Sequence, residues 1–387
     1  MDTSSTIRTF TDFFRERGHQ LLESRSLIRP DGDPVLYTSA GMHPLTPYLL
    51  GEPHPLGRRL TGVQRCLRTS DLEEVGDTRH LTVFEMLGSW SLGDYDGPQS
   101  QRFGLELLTD GFGLDPGRLH ATVFGGDEQV GPDSGAELTW RELGLPVERL
   151  TTDNWWSNGP TGPCGPDSEI FVWTGDGPPS GTPGTDERWL ELWNHVTMRY
   201  DRQEDGSLRP LGQCSVDTGM GLERLLMIAQ GKHSVYDTDR FAPWLRIVPR
   251  LWPASPRTVR LVTDHLRSGI VVIGDGVRPA STGRGYVLRR LVRRALTELW
   301  REDSSRSLAD LPLQLVQHTL EHFGQRPEPG QVREVLLGEE RKFRELMSRG
   351  RSVLARLYPE GGLSQDDYRY LHETHGLPPE LVADLLG

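Results

Sequence analysis

Lysine is nearly absent from this chain of 387 residues: Lys232 and Lys342 stand alone among 43 basic side chains. That bias toward arginine reads as genome base composition rather than function. The 55 acidic residues outnumber the basic ones and leave a formal charge of −12. Phosphate neutralisation needs Lys and Arg, so a protein that grips nucleic acid with its whole surface is excluded and any RNA contact has to be local. Cysteine is equally sparse. Cys66, Cys164 and Cys214 lie too far apart to build a disulfide framework or a zinc ribbon from spacing. Free thiols and no zinc are the expectation. No run of eighteen apolar residues occurs, and the first residues carry charges and a Ser/Thr cluster instead of a basic start followed by an apolar stretch. Absence of membrane contact and a cytoplasmic location follow as expectations.

What is present organises into two regions. Segment 7–24 places Ile7, Phe10, Phe13, Phe14 and Leu21 near helical spacing, which predicts an opening amphipathic helix that Gly18 ends or kinks. Between Leu60 and Gly93 two strand-like stretches, TGVQRCLR and LTVFEMLGSWSLG, flank an acidic loop and predict an antiparallel pair. Helical segments follow near 98–109 and 135–144. Residues 150–188 are rich in Gly, Pro and Trp and read as a loop built around a ligand. Strands are expected at 189–200 and 212–217, then a helix from about Gly219 with Leu222, Leu225, Leu226 and Ile228 on its apolar side. Four prolines in 241–257 predict irregular structure and a domain boundary. The expected domains are 1–245 and 256–387, the second almost wholly helical, because Leu261, His265, Ile270, Val271, Leu288, Leu291, Val292 and Leu296 recur at intervals near three and four.

Several short segments carry chemistry. Arg68 closes the first strand of the pair, in QRCLR, and Phe84 lies in the second. Taken alone, they read more readily as a surface arginine and a core aromatic than as an anion-binding cation beside a stacking ring. VDTGMGLER, 216–224, sets an acid, two glycines and an arginine at a strand-to-helix junction. Asp217 there is suited to capping the following helix or to receiving an ammonium. A charge run on a later helix puts Arg289, Arg290, Arg293 and Arg294 four apart in pairs, either a solvated face or a stripe against phosphates.

Together with DNWWSNGPTGPCGPDSEI (153–170), ELWNHVTMRYDR (191–202) and the region 264–296, these segments resemble the alanyl-tRNA synthetases of class II, over nearly the whole chain. The resemblance implies an α+β fold: an antiparallel sheet flanked by helices, followed by an all-helical tRNA-recognition region. It implies activation of a small amino acid, alanine above all, with ATP and Mg2+, and transfer to a tRNA acceptor stem. It assigns Arg68 to the junction of carboxylate and α-phosphate, where charge develops during attack, and Phe84 to stacking on adenine. Arg224 would lie across adenine from Phe84 and grip the γ-phosphate. Gly219 and Gly221 would allow close approach of backbone to nucleotide. Asp217 would take the α-ammonium, with Trp156 as the pocket wall, Asn194 and Val196 at further substrate positions, and Glu191 as a magnesium carboxylate. The RNA side falls to Arg289, Arg290, Arg293 and Arg294, with Ser281 and Glu373 where the family reads a G·U pair through asparagine and aspartate.

The departures shape the expectation further. The family's loop after the arginine resembles R-A-G-G-K-H-N-D-L, whereas this chain has Arg68-Thr69-Ser70-Asp71-Leu72, without the glycines, lysine and histidine. Leu81 replaces the second of two adjacent histidines, Ser39 replaces an asparagine before Ala-Gly-Met, and the family's C-x-x-C becomes Cys164…Asp167. The family continues past the position of Gly387 into editing and C-terminal domains, so a shortened paralogue without editing in cis is expected. Two other readings stay open: an adenylate-forming ligase that acylates a small-molecule amine or carrier protein, and a non-catalytic tRNA-binding or regulatory protein.

Overall fold

Alternation along four neighbouring strands decides the architecture. In the computed structural model, which describes residues 1–30, 33, 35–358 and 362–386, Leu87, Trp193, Met220 and Ile170 face one side of a single large sheet. Their sequence neighbours face the other. The chain divides into two units, Met1–Ile247 and Val248–Gly387. The last residue of the expected second domain, Gly387, lies outside the described residues.

The first unit is built on a nine-stranded sheet. Its strands are β1 (Gln20–Leu22), β2 (Arg59–Leu67), β3 (Val83–Ser91), β4 (Leu119–Phe124), β5 (Val147–Leu150), β6 (Trp155–Ser157), β7 (Gly162–Trp173), β8 (Trp189–Arg202) and β9 (Leu208–Gly221). The order is β1-β2-β3-β9-β8-β7-β4-β5, with β6 paired to β7. Pairing is antiparallel except at β1–β2 and β4–β5 near the two ends. Helices α1 (Thr3–Glu16), α3 (Gly97–Glu106), α4 (Ser134–Glu142) and α5 (Leu222–Ala229) accompany it, with a single turn, α2 (Thr46–Leu49), beside the β1–β2 connection. One face carries the main core. Phe10 and Phe14 of α1, Leu222, Leu225 and Leu226 of α5, and Trp140 of α4 bury against Leu87, Ile170, Trp193 and Met220. The opposite face carries a smaller cluster of Met42, Leu60, Cys66, Met86, Trp90, Val196 and Met198, with Phe84 and Trp156 at its border.

Three expectations change. The opening helix stops at Glu16 because Gly18 takes a left-handed φ of 83°, a conformation glycine adopts without steric cost; Leu21 therefore lies in β1. The Gly/Pro/Trp-rich stretch is not one long loop, since it contains β6 and the twelve-residue β7. Pro166 sits at a register shift between Cys164 and Asp167, where a missing N–H is tolerated. Residues 241–257 are not wholly irregular: Ala242–Leu251 form α6, with Pro249 inside it. Pro243 occupies the first turn, where its N–H would have no partner, and Trp244 and Val248, four apart, are both buried. The division between units falls within this helix.

The second unit is helical: α7 (Pro256–Gly274), α8 (Gly283–Glu302), α9 (Leu313–His322), α10 (Pro329–Leu357), α11 (Gln365–His375) and α12 (Pro379–Leu386). All eight residues expected on buried helix faces here, from Leu261 to Leu296, are buried. Among the described residues no helix is long and apolar enough to cross a membrane.

Candidate active site

Directly paired residues on adjacent strands point to the same face, so the ladders map the smaller face. One row runs Asp167 (β7), Val196 (β8), Asp217 (β9), Trp90 (β3). The next runs Glu169, Asn194, Gly219, Gly88. Beyond it Gly221 pairs with Met86. Glu191 reaches this face through an irregularity. Ile170 pairs with Trp193 but Phe171 pairs with Glu191, so Leu192 is an extra residue in β8 and the alternation resumes one step out of phase.

Asp217 is 5% exposed and accepts a 2.6 Å bond from the Trp90 indole Nε1. Burial pushes its carboxyl up to about 7, and the indole bond only partly opposes this. It does not cap α5, whose N-cap is Gly221. The Trp90 indole lies over Gly88, where a Cβ would stand 2.3 Å from the ring. Gly219 is needed for the same reason on a smaller scale: its Cβ would meet Met86 Sδ at 2.7 Å. At Gly221 the three atoms nearest such a Cβ are Arg224 carbons at 3.7–3.8 Å, an ordinary contact distance.

Arg68, exposed at the end of β2, donates from Nε to the Ser39 carbonyl at 3.1 Å. Its guanidinium carbon lies 5.2 Å from the Phe84 ring centroid, and its Nη nitrogens donate to nothing among the described residues. The arginine over Phe84 is therefore Arg68. Arg224, expected opposite that ring, instead donates from Nη1 to the Glu191 carbonyl at 3.0 Å and to its carboxylate at 2.8 Å. The carboxylate expected to hold magnesium is thus ion-paired, and no group of three or more metal-ligating side chains occurs among the described residues. Segment Ser39–His43 borders the site: Gly41 N–H points at Met86 Sδ, and the His43 ring lies 6.4 Å from Trp156. Burial lowers His43 to about 4, so it is neutral at physiological pH.

The sequence reading missed a group behind Val196. Asp167 is 4% exposed and accepts from Asn154 Nδ2 at 2.9 Å and Asn194 Nδ2 at 3.3 Å. Burial pushes Asp167 up to about 7, and burial with the nearby Glu191 and Asp167 charges raises Glu169 as well. The signal was present in Asp167-Ser168-Glu169, two acids at strand spacing.

In the helical unit the four arginines of α8 are not equivalent. Arg293 donates to Glu339, whose side chain is 2% exposed, at 2.7 Å, and packs on Phe343. It belongs to the interior ion pairing of this unit and drops out of the expected stripe. Arg290 is exposed, and Arg289 and Arg294 are half-buried. Ser281, before α8, and Glu373, in α11, are both exposed.

The family described as tRNA synthetases class II (A) matches residues 6–387. The alanine–tRNA ligase of Treponema pallidum is 40% identical over 96% of this chain and 66% of its own length. That of Rubrobacter xylanophilus is 39% identical over 100% of this chain and 47% of its own. The chain thus spans about half to two thirds of the length of these curated relatives. Among solved structures, pyrrolysyl-tRNA synthetase from Desulfitobacterium hafniense overlays at a TM-score of 0.35 with 14% identity, covering 62% of this chain and 73% of its own.

Proposed function

The chain belongs to the class II tRNA synthetases of the alanine type, and on that premise we propose that it joins a small amino acid, alanine foremost, to ATP as an aminoacyl adenylate and passes the acyl group to a tRNA. The observation that carries this reading is the row Val196–Asp217–Trp90. It presents a buried carboxylate, with one indole bond, to a space bordered by Trp156 and the Arg68–Phe84 pair. A lone buried carboxylate of this kind is relieved by an ammonium, and the α-ammonium of an amino acid supplies one. Val196 and Trp156 then restrict the substrate to a short side chain.

With the ammonium on Asp217, the substrate carboxylate attacks the α-phosphorus of ATP, the acyl-phosphate bond forms, and pyrophosphate leaves. Two anions meet in that step. The unengaged Nη nitrogens of Arg68 are the donors suited to the charge developing on the phosphoryl oxygens. Adenine would stack on Phe84, with backbone at Gly221 beside the nucleotide. Arg224 would take the γ-phosphate. Magnesium keeps several waters and takes one or two carboxylates plus substrate phosphates, so Glu191 is a suitable side chain to hold it, and it would supply charge neutralisation there. ATP–pyrophosphate exchange across a panel of small amino acids tests the reading. Exchange with at least one of them supports it, and a folded protein that neither exchanges nor binds ATP defeats it.

On the acceptor side, Arg289, Arg290 and Arg294 are the proposed phosphate contacts and Ser281 and Glu373 the groups nearest the G·U pair. Serine and glutamate cannot reproduce the contacts of asparagine and aspartate, and each misplaced base-edge contact costs about 1–3 kcal/mol of discrimination. RNA binding should therefore be salt-sensitive, with charging of alanine tRNA transcripts nearly indifferent to G·U or G·C at that position. Strong rejection of the G·C transcript would contradict this. The loop Arg68–Leu72, lacking the lysine and histidine of the family, favours the second reading, an acceptor other than ordinary alanine tRNA. Acyl transfer that persists after ribonuclease treatment would decide for it.

A further inference from the structure

Beyond Val196 the proposed amino-acid pocket is walled by two carboxyl groups and two amide side chains, Asp167, Glu169, Asn154 and Asn194. Asp167 is the direct cross-strand neighbour of Val196, on the side away from Asp217. Both of its oxygens accept from the amides of Asn154 and Asn194. With the amide donors used on carboxylates, the Oδ1 atoms of Asn154 and Asn194 are buried with no partner. Asn154 is 3% exposed and is the only non-glycine residue with positive φ among those described, at 63°. A buried acceptor without a donor is costly, and here two of them flank two carboxylates. An alanine methyl placed over Val196 would supply no donor to any of these four groups.

Building on the adenylation reading, we infer that the preferred substrate is a small α-amino acid with a hydrogen-bond donor on its β-carbon, an ammonium ahead of a hydroxyl, and that Asp167 selects it. Cross-strand geometry supports the match. Asp167 and Asp217 lie two strand spacings apart, about 9.5 Å, and strand side chains stand roughly perpendicular to the sheet. A charge-assisted bond of about 2.8 Å at each end leaves about 4 Å between two nitrogens, the span of an extended N–C–C–N unit. The α-ammonium on Asp217 and a β-ammonium on Asp167 would thus bridge Val196. The second positive charge also answers a local imbalance, because the charge of Glu191 bears on both Asp167 and Glu169 while Arg224 is bonded to Glu191. A site built to bond a donor discriminates strongly against the analogue that lacks it.

The test is ATP–pyrophosphate exchange by the full chain with L-alanine, L-serine, L-2,3-diaminopropionate and, as a donor-free control of similar size, L-2-aminobutyrate. Each is assayed with the parent protein and with Asp167→Asn and Asp167→Cys. The expected kcat/KM of the parent for diaminopropionate exceeds that for alanine by about tenfold or more, with 2-aminobutyrate no better than alanine. Both substitutions should cut the diaminopropionate-to-alanine ratio by about tenfold, mainly through KM. A ratio is read, so a partial loss of folded protein does not mimic the effect. Alanine at or above both donor-bearing amino acids overturns the inference, as does serine ahead of diaminopropionate or a ratio unmoved by either substitution. Calorimetric titration of diaminopropionate and alanine reads the pocket without the chemistry. Absent exchange with tight diaminopropionate binding defeats adenylation alone, whereas equal or absent binding of the two defeats the selection.

Discussion

The two faces of the sheet are made from alternate residues of the same strands, yet they do opposite work. On β8 and β9, Trp193 and Met220 enter the main core, while Asn194, Val196, Asp217 and Gly219 line the smaller face. The core face is apolar and packed by helices α1, α4 and α5. The other face leaves a carboxyl raised to about 7 at Asp217 and a second at Asp167, and amide oxygens without donors. A fold that maximised stability would fill those positions with hydrocarbon. The difference teaches that this protein's stability and its chemistry are separable residue by residue, one step along a strand.

That separation can be broken by mutation. The largest effect belongs to the core face: Trp193→Ala should lower stability by about 3–5 kcal/mol, visible as a fall in Tm, because Trp193 is fully buried and packs on Phe10 and Phe14. A Tm close to the parent's would deny that this face holds the unit together. On the other face Arg224→Ala should leave Tm nearly unchanged and raise the KM for ATP by about tenfold, the size of one charge-assisted contact; unchanged ATP dependence would remove Arg224 from the nucleotide site. The smallest effect is on pH dependence. Asp217 and Asp167 hold a proton to about 7 in the folded protein, whereas the unfolded chain releases it near 3.9. The folded state binds more protons between those values, so their contribution to stability falls as pH rises from about 4 to 7. Asp217→Asn should therefore flatten the pH profile of unfolding and stabilise the ligand-free protein above pH 7. A steeper profile in the variant would reverse the assignment.

How much of this was legible in the sequence depended on how local each signal was. The strand pair holding Arg68 and Phe84, and the strand-to-helix junction at Asp217 and Arg224, stood out because their residue types cluster within a few positions. The role of Asp167 and Glu169 did not, because which face they take depends on a register shift beside Pro163 and Pro166. Glu191 is similar: the extra residue Leu192 turns it toward Arg224, and no periodicity in the segment announces that. Arg293 read as part of a basic stripe because its partner Glu339 lies 46 residues away. Gly219 was expected to make room for a nucleotide, yet its nearest obstacle is the protein's own Met86.

The central claim is that the buried carboxylate of the smaller face receives the amino acid while ATP binds beside it. It is tested most directly by measuring ATP–pyrophosphate exchange and ATP affinity together in the parent and in Asp217→Asn. Loss of one partner of a buried charge-assisted contact costs about 2–5 kcal/mol. Exchange in the variant should therefore drop by at least about tenfold while the Kd for ATP stays near the parent's. An Asp217→Asn protein that exchanges at the parent rate would contradict the account.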